Sequence, residues 1–259
     1  SMTGFDILDR ITALKDKGRP FCVATVVRTA DVTSAKAGAK AAITETGEII
    51  GHLGGACVNR AIRSAAEDAL KTGAPAMIRV KPSDKVVSMQ DTDGVQLFKS
   101  GCPSGGTVDL LIEVYTPAPR LVIFGLSPIA RALAAHAALM GFRIACDPEV
   151  APEALPPSPL DPRGLDGLNL GHEDFIVIAS QGQNDRDALK AAVESPVRHV
   201  CMVASGKKAR ALSEKLVKQG VDPELLNRVK SPAGLDLGGI DPHEIAISVL
   251  AEIIVWRNA

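Results

Sequence analysis

Phe5, Leu8, Ile11 and Leu14 return at three-residue steps between polar neighbours. This spacing predicts an amphipathic helix over residues 5–16, closed by Gly18 and Pro20. From Phe21 to Val27 the chain is mostly apolar and β-branched, the pattern of a buried strand. Ala30 to Gly38 is small and polar and predicts a loop. Ala39–Thr44 and Glu48–Leu53 flank Glu45-Thr46-Gly47, a composition that predicts a β-hairpin. Beyond Gly54-Gly55, the residues Val58, Ile62, Ala65, Ala66 and Ala69 keep helical periodicity, so a helix is expected over 57–70. Strands are expected over 76–81 and 107–115, with a less regular stretch between them.

Thr116-Pro117-Ala118-Pro119 places two prolines in four residues between apolar strands, which predicts a short stiff linker. After it the pattern alternates. Strands are expected over 120–125, 142–146, 175–179 and 199–203, and helices over 128–140, 185–194, 207–219 and 242–256. The last helix would carry Ile245, Val249, Ile253 and Trp256 on its apolar face. Residues 151–170 hold Pro152, Pro156, Pro157, Pro159 and Pro162, too many for a regular helix. Strand–helix alternation predicts a parallel sheet with helices on both faces. The expected fold is α/β: a small α+β domain over 1–116, then a Rossmann-like doubly wound parallel-sheet domain over 117–259.

A length of 259 residues suits two modest domains, each able to bury a core. The net charge of -1 gives no basic footprint for nucleic acid or for an anionic membrane. Aromatic residues at 3% leave few platforms for stacked bases. No apolar run reaches the roughly 18–20 residues of a membrane span. Ser1-Met2-Thr3-Gly4 shows neither a basic nor an apolar leader region, so no secretory signal is expected. The five cysteines, Cys22, Cys57, Cys102, Cys146 and Cys201, are odd in number and form no CxxC. That favours free thiols in a reducing cytoplasm over a disulfide framework.

Four segments have candidate chemistry. Gly125-Leu126-Ser127-Pro128-Ile129-Ala130 joins an expected strand to an expected helix, where a dinucleotide fingerprint would read G-x-G-x-x-G/A. Gly125 and Ala130 fit, and Asp147 stands where a ribose-binding acid belongs. Ser127 replaces the middle glycine, and with Pro128 it makes a good helix cap instead. Both a bound dinucleotide and a capped helix without nucleotide stay open. Gly54-Gly55-Ala56-Cys57 runs into a helix whose N-terminus favours an anion and lowers the pKa of a first-turn thiol. A tight turn with a small buried Cys57 is the alternative. Gly101-Cys102-Pro103-Ser104-Gly105-Gly106 reads as an exposed turn. Arg28 to Lys40 could bind phosphate as a charged, hydroxyl-rich loop, or could simply be solvated. Cys22, Cys146 and Cys201 read as packing. No Ser-His-Asp order, HExxH or P-loop appears.

Ala24-Thr25-Val26-Val27-Arg28-Thr29, Gly38-Ala39-Lys40, Gly54-Gly55-Ala56-Cys57 and Gly105-Gly106-Thr107-Val108 together resemble the N-terminal domain of the XdhC/CoxI family. Leu121-Val122-Ile123-Phe124-Gly125, Ser231-Pro232-Ala233-Gly234-Leu235-Asp236-Leu237-Gly238 and Glu244-Ile245-Ala246 resemble its C-terminal Rossmann domain. Cys102-Pro103-Ser104-Gly105-Gly106 and Ser180-Gln181-Gly182-Gln183 look more like the carbon-monoxide-dehydrogenase branch than the xanthine-dehydrogenase branch. The chain departs from the family at Ala56, usually glycine, and at Ser127-Pro128, more commonly glycine and histidine.

The resemblance implies an accessory factor for a molybdenum hydroxylase. It would bind the molybdenum cofactor (molybdopterin), shelter it during modification, and deliver it to the apo-enzyme as a chaperone more than a stand-alone catalyst. The implied cofactor-binding residues are Gly54, Gly55, Cys57, Cys102, Gly105, Gly106, Arg28 and Lys40, with Gly125, Ser127 and Asp147 in the second domain. Cys57 and Cys102 are the implied molybdenum contacts, since soft sulfur suits such a metal. Their sulfurs are expected to meet at a cleft lined by Gly54, Gly55, Gly105 and Gly106. A homodimer and a cysteine desulfurase partner are also implied. The alternatives are an NAD(P)-dependent oxidoreductase acting through the Rossmann domain, and a scaffold that only docks the target enzyme.

Overall fold

A computed structural model describes residues 4–31, 33–82, 88–100, 105–153 and 165–259, with the backbone alone for Phe5, Ala56 and Cys57. The chain divides into two units, Ser1–Pro117 and Ala118–Ala259.

In the first unit, helix α1 (Gly4–Lys17) leads into strand β1 (Phe21–Ala30) and the hairpin β2 (Lys40–Thr44) and β3 (Ile49–Gly51). Helix α2 (Ala56–Thr72) follows, then β4 (Ala76–Lys81), β5 (Gln96–Lys99) and β6 (Thr107–Tyr115). The strands form one sheet in the order β3-β2-β1-β6-β4-β5. Strand alternation assigns the two faces. Cys22, Ala24 and Val26 of β1 bury against Val58, Ala61, Ile62, Ala65 and Ala69 of α2. Phe21 and Val23 turn the other way, against Leu14 of α1. The alanine stripe of α2 lets the helix lie close to the sheet, and Gly73 ends it in a left-handed conformation. Strand β1 runs on to Ala30, past the expected end at Val27, with its register shifting between Val26 and Arg28. Strand β5 pairs in parallel with β4 and was not expected from the sequence.

The second unit is a mixed α/β domain of Rossmann type. Strands β7 (Arg120–Phe124), β8 (Arg143–Ala145), β9 (Phe175–Ile178), β10 (His199–Met202) and β11 (Val229–Lys230) form a sheet ordered β11-β10-β9-β7-β8, parallel throughout. Helices α3 (Pro128–Leu139) and α7 (Pro242–Arg257) cover one face, burying Leu121 and Ile123. Helices α4 (Asp185–Glu194) and α5 (Gly206–Lys218) cover the other, over Val122 and Phe124, and the short α6 (Pro223–Leu226) adds Leu226 to that core. Two covered faces explain why these strands are unbroken apolar runs. On α7 the buried apolar residues are Ala246, Val249, Leu250 and Ile253, whereas the expected Ile245 and Trp256 are only half-buried.

A few polar groups stitch this unit together. Asp174 accepts from the backbone N–H groups of Arg120 and Gly171, both at 2.8 Å, tying β7 to the turn before β9. Arg228 donates through Nη2 to the carbonyls of Ala192, Val193 and Ser195, closing the C-terminal end of α4. Of the proline-rich segment, residues 154–164 lie outside the described residues, while 151–153 and 165–170 hold neither helix nor strand. Cys22, Cys146 and Cys201 are all buried. Burial pushes the Cys22 and Cys146 thiols up to about 11, so these are packing residues and not nucleophiles.

Candidate functional site

In the first unit the pairing registers gather six strand ends at one edge of the sheet. Ala30 stands opposite Thr107, Thr25 opposite Lys40, Ala41 opposite Gly51, Val80 opposite Val108, and Lys81 opposite Lys99. The turn Gly54-Gly55, the loop following Ala30 and the glycines Gly105 and Gly106 therefore share that edge. Gly54 and Gly55 have φ of 128° and 115°, a region that L side chains rarely adopt. A Cβ on Gly54 would lie 2.9 Å from the Ala35 backbone, so the 33–39 loop rests directly on the turn. The Ser34 hydroxyl donates to the Gly54 carbonyl and holds it there.

Gly55 occupies the N-cap of α2 and supplies no side-chain cap, and the first turn of the helix contains no acid. The Val58 N–H turns back to the Gly55 carbonyl at 3.3 Å, and the positive end of the helix dipole favours an anion at this terminus. Cys57 lies in this first turn, with its side chain outside the described residues. Cys102 lies outside them altogether, so the expected meeting of the two sulfurs does too. Among the described residues no group of three or more His, Cys, Asp or Glu is arranged to hold a metal ion.

One expectation is corrected. Arg28 does not belong to a loop but lies in β1, which runs past Val27, while Lys40 opens β2 within the expected hairpin strand. The Arg28 guanidinium is committed to Asp109, with Nη2 at 2.7 Å and Nε at 3.1 Å from Oδ2. Lys40 donates to the Thr25 hydroxyl at 3.2 Å. The phosphate-loop reading counted these cations without the strand partners that engage them.

Asp109 is the centre of a network that the sequence reading missed. Arg79 grips it bidentately at 2.7 and 3.0 Å, and also reaches Asp91 at 2.9 Å and Asp93 at 3.0 Å. Lys81 pairs with Asp91 at 2.8 Å. The Arg79 hydrogen bonds hold the Asp109 carboxyl below its ordinary range despite burial, with Arg28 adding to the effect. A signal was present: an acid inside Val108–Ile112 and an arginine inside Ile78–Val80 each require a partner on neighbouring strands.

In the second unit Gly125 has φ 121°, and a Cβ there would fall 2.6 Å from Ser180 Cα, so only glycine fits between the ends of β7 and β9. Ser127 caps α3: its oxygen accepts from Ala130 N–H at 3.1 Å while its hydroxyl donates to the Ala179 carbonyl at 2.7 Å. Asp147 follows β8 and accepts from Glu149 N–H at 2.9 Å, capping the 3-10 turn Pro148–Val150. A cleft of about 120 Å³ opens between these loops, lined by Gly125, Leu126, Asp147, Ser180, Gln183 and Asn184 among others. Behind it the buried Asp185 accepts from the Ser180 hydroxyl and from Gly182 N–H, the latter at 2.7 Å.

Comparison with known families decides the identity. The model of the XdhC Rossmann domain matches residues 121–253, and that of the XdhC and CoxI family matches 14–81. The chain belongs to the XdhC/CoxI family. It is 30% identical over 263 aligned residues to the uncharacterized protein YqeB of Escherichia coli (strain K12), which covers 98% of this chain and 46% of that protein. It is 27% identical over 162 residues to a probable xanthine dehydrogenase subunit of Bacillus subtilis (strain 168), covering 59% of this chain and 47% of that one. This XdhC-type chain thus spans about half the length of the curated relatives it matches. A crystal structure of a xanthine dehydrogenase from Bacillus halodurans aligns with a TM-score of 0.45 at 18% identity, over 95% of this chain and 94% of that one.

Proposed function

We propose that this chain is an accessory factor for a molybdenum hydroxylase, holding the molybdenum cofactor and passing it to the apo-enzyme. The carrying observation is the N-terminus of α2, uncapped, free of acid and reached through the two positive-φ glycines Gly54 and Gly55. Backbone donors at such a terminus suit the phosphate of the cofactor. The sequence places Cys57 in the same turn, where a thiolate would suit the molybdenum end. Membership of the XdhC/CoxI family supports the reading, as does similarity to a protein named as a probable component of xanthine dehydrogenase. Within it, Cys102–Gly106 and Ser180–Gln183 favour the carbon-monoxide-dehydrogenase branch, which delivery assays against both types of apo-enzyme would separate. The NAD(P)-dependent reading draws less support, because Ser127 already takes the Ala130 N–H that a pyrophosphate would use.

Titration of the apo-protein with molybdenum cofactor tests the proposal, with retained molybdenum measured by mass spectrometry. Stoichiometric retention is expected, and its absence refutes the reading. Cys57→Ala should weaken retention at least tenfold while the melting temperature stays nearly unchanged, since a site thiol contributes little packing. Cys146→Ala should do the opposite, costing about 1 kcal/mol or more by leaving a void under β8 while binding is spared. Unchanged retention in Cys57→Ala, with a large fall in melting temperature, would make Cys57 a core residue.

A further inference from the structure

Helices α3 and α7 pack together over one face of the second sheet, with Leu133, Ala137, Val249 and Ile253 in their shared core. Outside that core two histidines meet. His136 stands in the last turn of α3 and His243 in the first turn of α7. Nε2 of His136 lies 3.0 Å from Nδ1 of His243, with the rings edge-on at 87° and their centroids 5.2 Å apart. Neither side chain belongs to the apolar core, and the cofactor reading uses neither.

Two imidazole nitrogens this close share a proton or, in its place, a metal cation. A divalent ion held at about 2.0–2.1 Å by each nitrogen would span their 3.0 Å separation at an angle of about 90–100°. That is the angle between neighbouring ligands in square-planar or tetragonal coordination, which copper(II) and nickel(II) adopt with nitrogen ligands. A tetrahedral ion with the same bond lengths would spread the nitrogens to about 3.3–3.4 Å. His243 is exposed and His136 half-buried, so a turn of the rings brings both lone pairs onto one ion. The other ring nitrogens, Nδ1 of His136 and Nε2 of His243, make no hydrogen bond among the described residues. No carboxylate or carbonyl therefore fixes either ring in a tautomer that would exclude the ion.

The surrounding charge suits a cation. The C-terminal end of α3 is the negative end of its dipole, and His136 is the one basic residue in its last turn. At the start of α7 the positive end is offset by Glu244 and by the N-cap Asp241, whose Oδ1 accepts from His243 N–H at 2.8 Å. Among the described residues no third His, Cys, Asp or Glu joins the pair in a metal-holding group, so water would complete the coordination shell. Magnesium and calcium, which need several oxygen ligands, find no such set here.

We propose that His136 and His243 form a two-imidazole site for a divalent transition-metal ion of the nickel(II) or copper(II) type, which clasps the last turn of α3 to the first turn of α7. The site lies wholly in the second unit and does not rest on cofactor delivery.

The test is calorimetric titration of the full chain, carrying no histidine tag, with nickel(II), copper(II) and magnesium chlorides. At least one of nickel and copper should bind with one equivalent per chain, and magnesium should not. His136→Ala and His243→Ala should each weaken that binding about tenfold or more. The double variant should lose little beyond either single one, because one imidazole alone forms no chelate. His172→Ala, in the turn before β9, should bind as the unaltered chain does. The saturating metal should raise the melting temperature of the unaltered chain and leave that of either single variant in place. Circular dichroism should show both variants folded, since each loses a side chain outside the core. Absence of both nickel and copper binding overturns the proposal, as does magnesium binding of equal strength. Binding that survives both His136→Ala and His243→Ala undiminished would place the metal elsewhere and overturn it as well.

Discussion

Asp109 shows how much a single residue can carry without standing in a site. Its side chain is 9% exposed and that of Arg79 10%, so each charge is out of water and tolerated because the other is present. Removing one member of such a pair strands the other, at a cost of about 3–5 kcal/mol. Asp109→Asn should therefore lower the unfolding free energy, measured by denaturant titration, by an amount in that range, whereas Arg28→Ala, on the exposed side, should cost far less. The network also fixes an acid limit. The Asp109 and Asp91 carboxyls are held below the ordinary range by Arg79 and Lys81. The unfolded chain takes up their protons near pH 4, before the folded chain does, so their stabilisation is complete above that pH and lost as pH falls through the depressed values. Denaturation midpoints measured from pH 6 to 3 should fall steeply, and Asp109→Asn should flatten the fall. Sequence reading found Ser127, whose capping role follows from its neighbours alone, and Asp147, whose place follows from a strand end. It missed Asp109 because a cross-strand partner is set by register, which no local pattern states.

Elements were legible where their pattern was long. The strands over 76–81 and 107–115 have the bounds expected, as does the helix over 185–194, because six or more residues of consistent period leave little choice of boundary. Strand β5 has four residues, β11 two and α6 four, and each is held by a partner instead of its own pattern: β5 by β4, β11 by β10, α6 by the core under α4 and α5. Strand β10 opens with His199, which stacks on Trp256 of α7 at 4.7 Å between centroids and on Phe175 of β9 at 6.0 Å. Burial, aided by Arg198, lowers the pKa of this imidazole. The unfolded chain then protonates His199 first, so its contribution is full above about pH 6.5 and is lost as pH falls through the folded value. His199→Phe keeps the stack and removes the proton. The variant should lose less melting temperature than the unaltered chain between pH 7.5 and 5.5, and parallel curves would show that the stack does not sense protonation.

At the scale of the whole chain, each unit has a core of its own, and the consequence is sharpest for residues 118–259. Leu121, Ile123, Leu133, Val177, Val249 and Ile253 close one layer of the sheet, while Val122, Ile176, Ile178, Leu189, Val193 and Leu216 close the other. All of these residues belong to the second unit. Its about 140 residues are enough to bury roughly two-thirds of the unfolded surface, within the range where domains fold alone. Polar closure is also internal, since Asp174 ties β7 to β9 and Lys230 pairs with the buried Glu252 at 2.8 Å beneath the 231–238 loop. Residues 118–259 expressed separately should give a single cooperative thermal transition with the far-ultraviolet signature of mixed helix and strand. Leu133→Ala opens a cavity in the α3–α7 layer and should lower its stability by about 2–5 kcal/mol. A broad, non-cooperative melt of the piece would show that its packing depends on residues before 118.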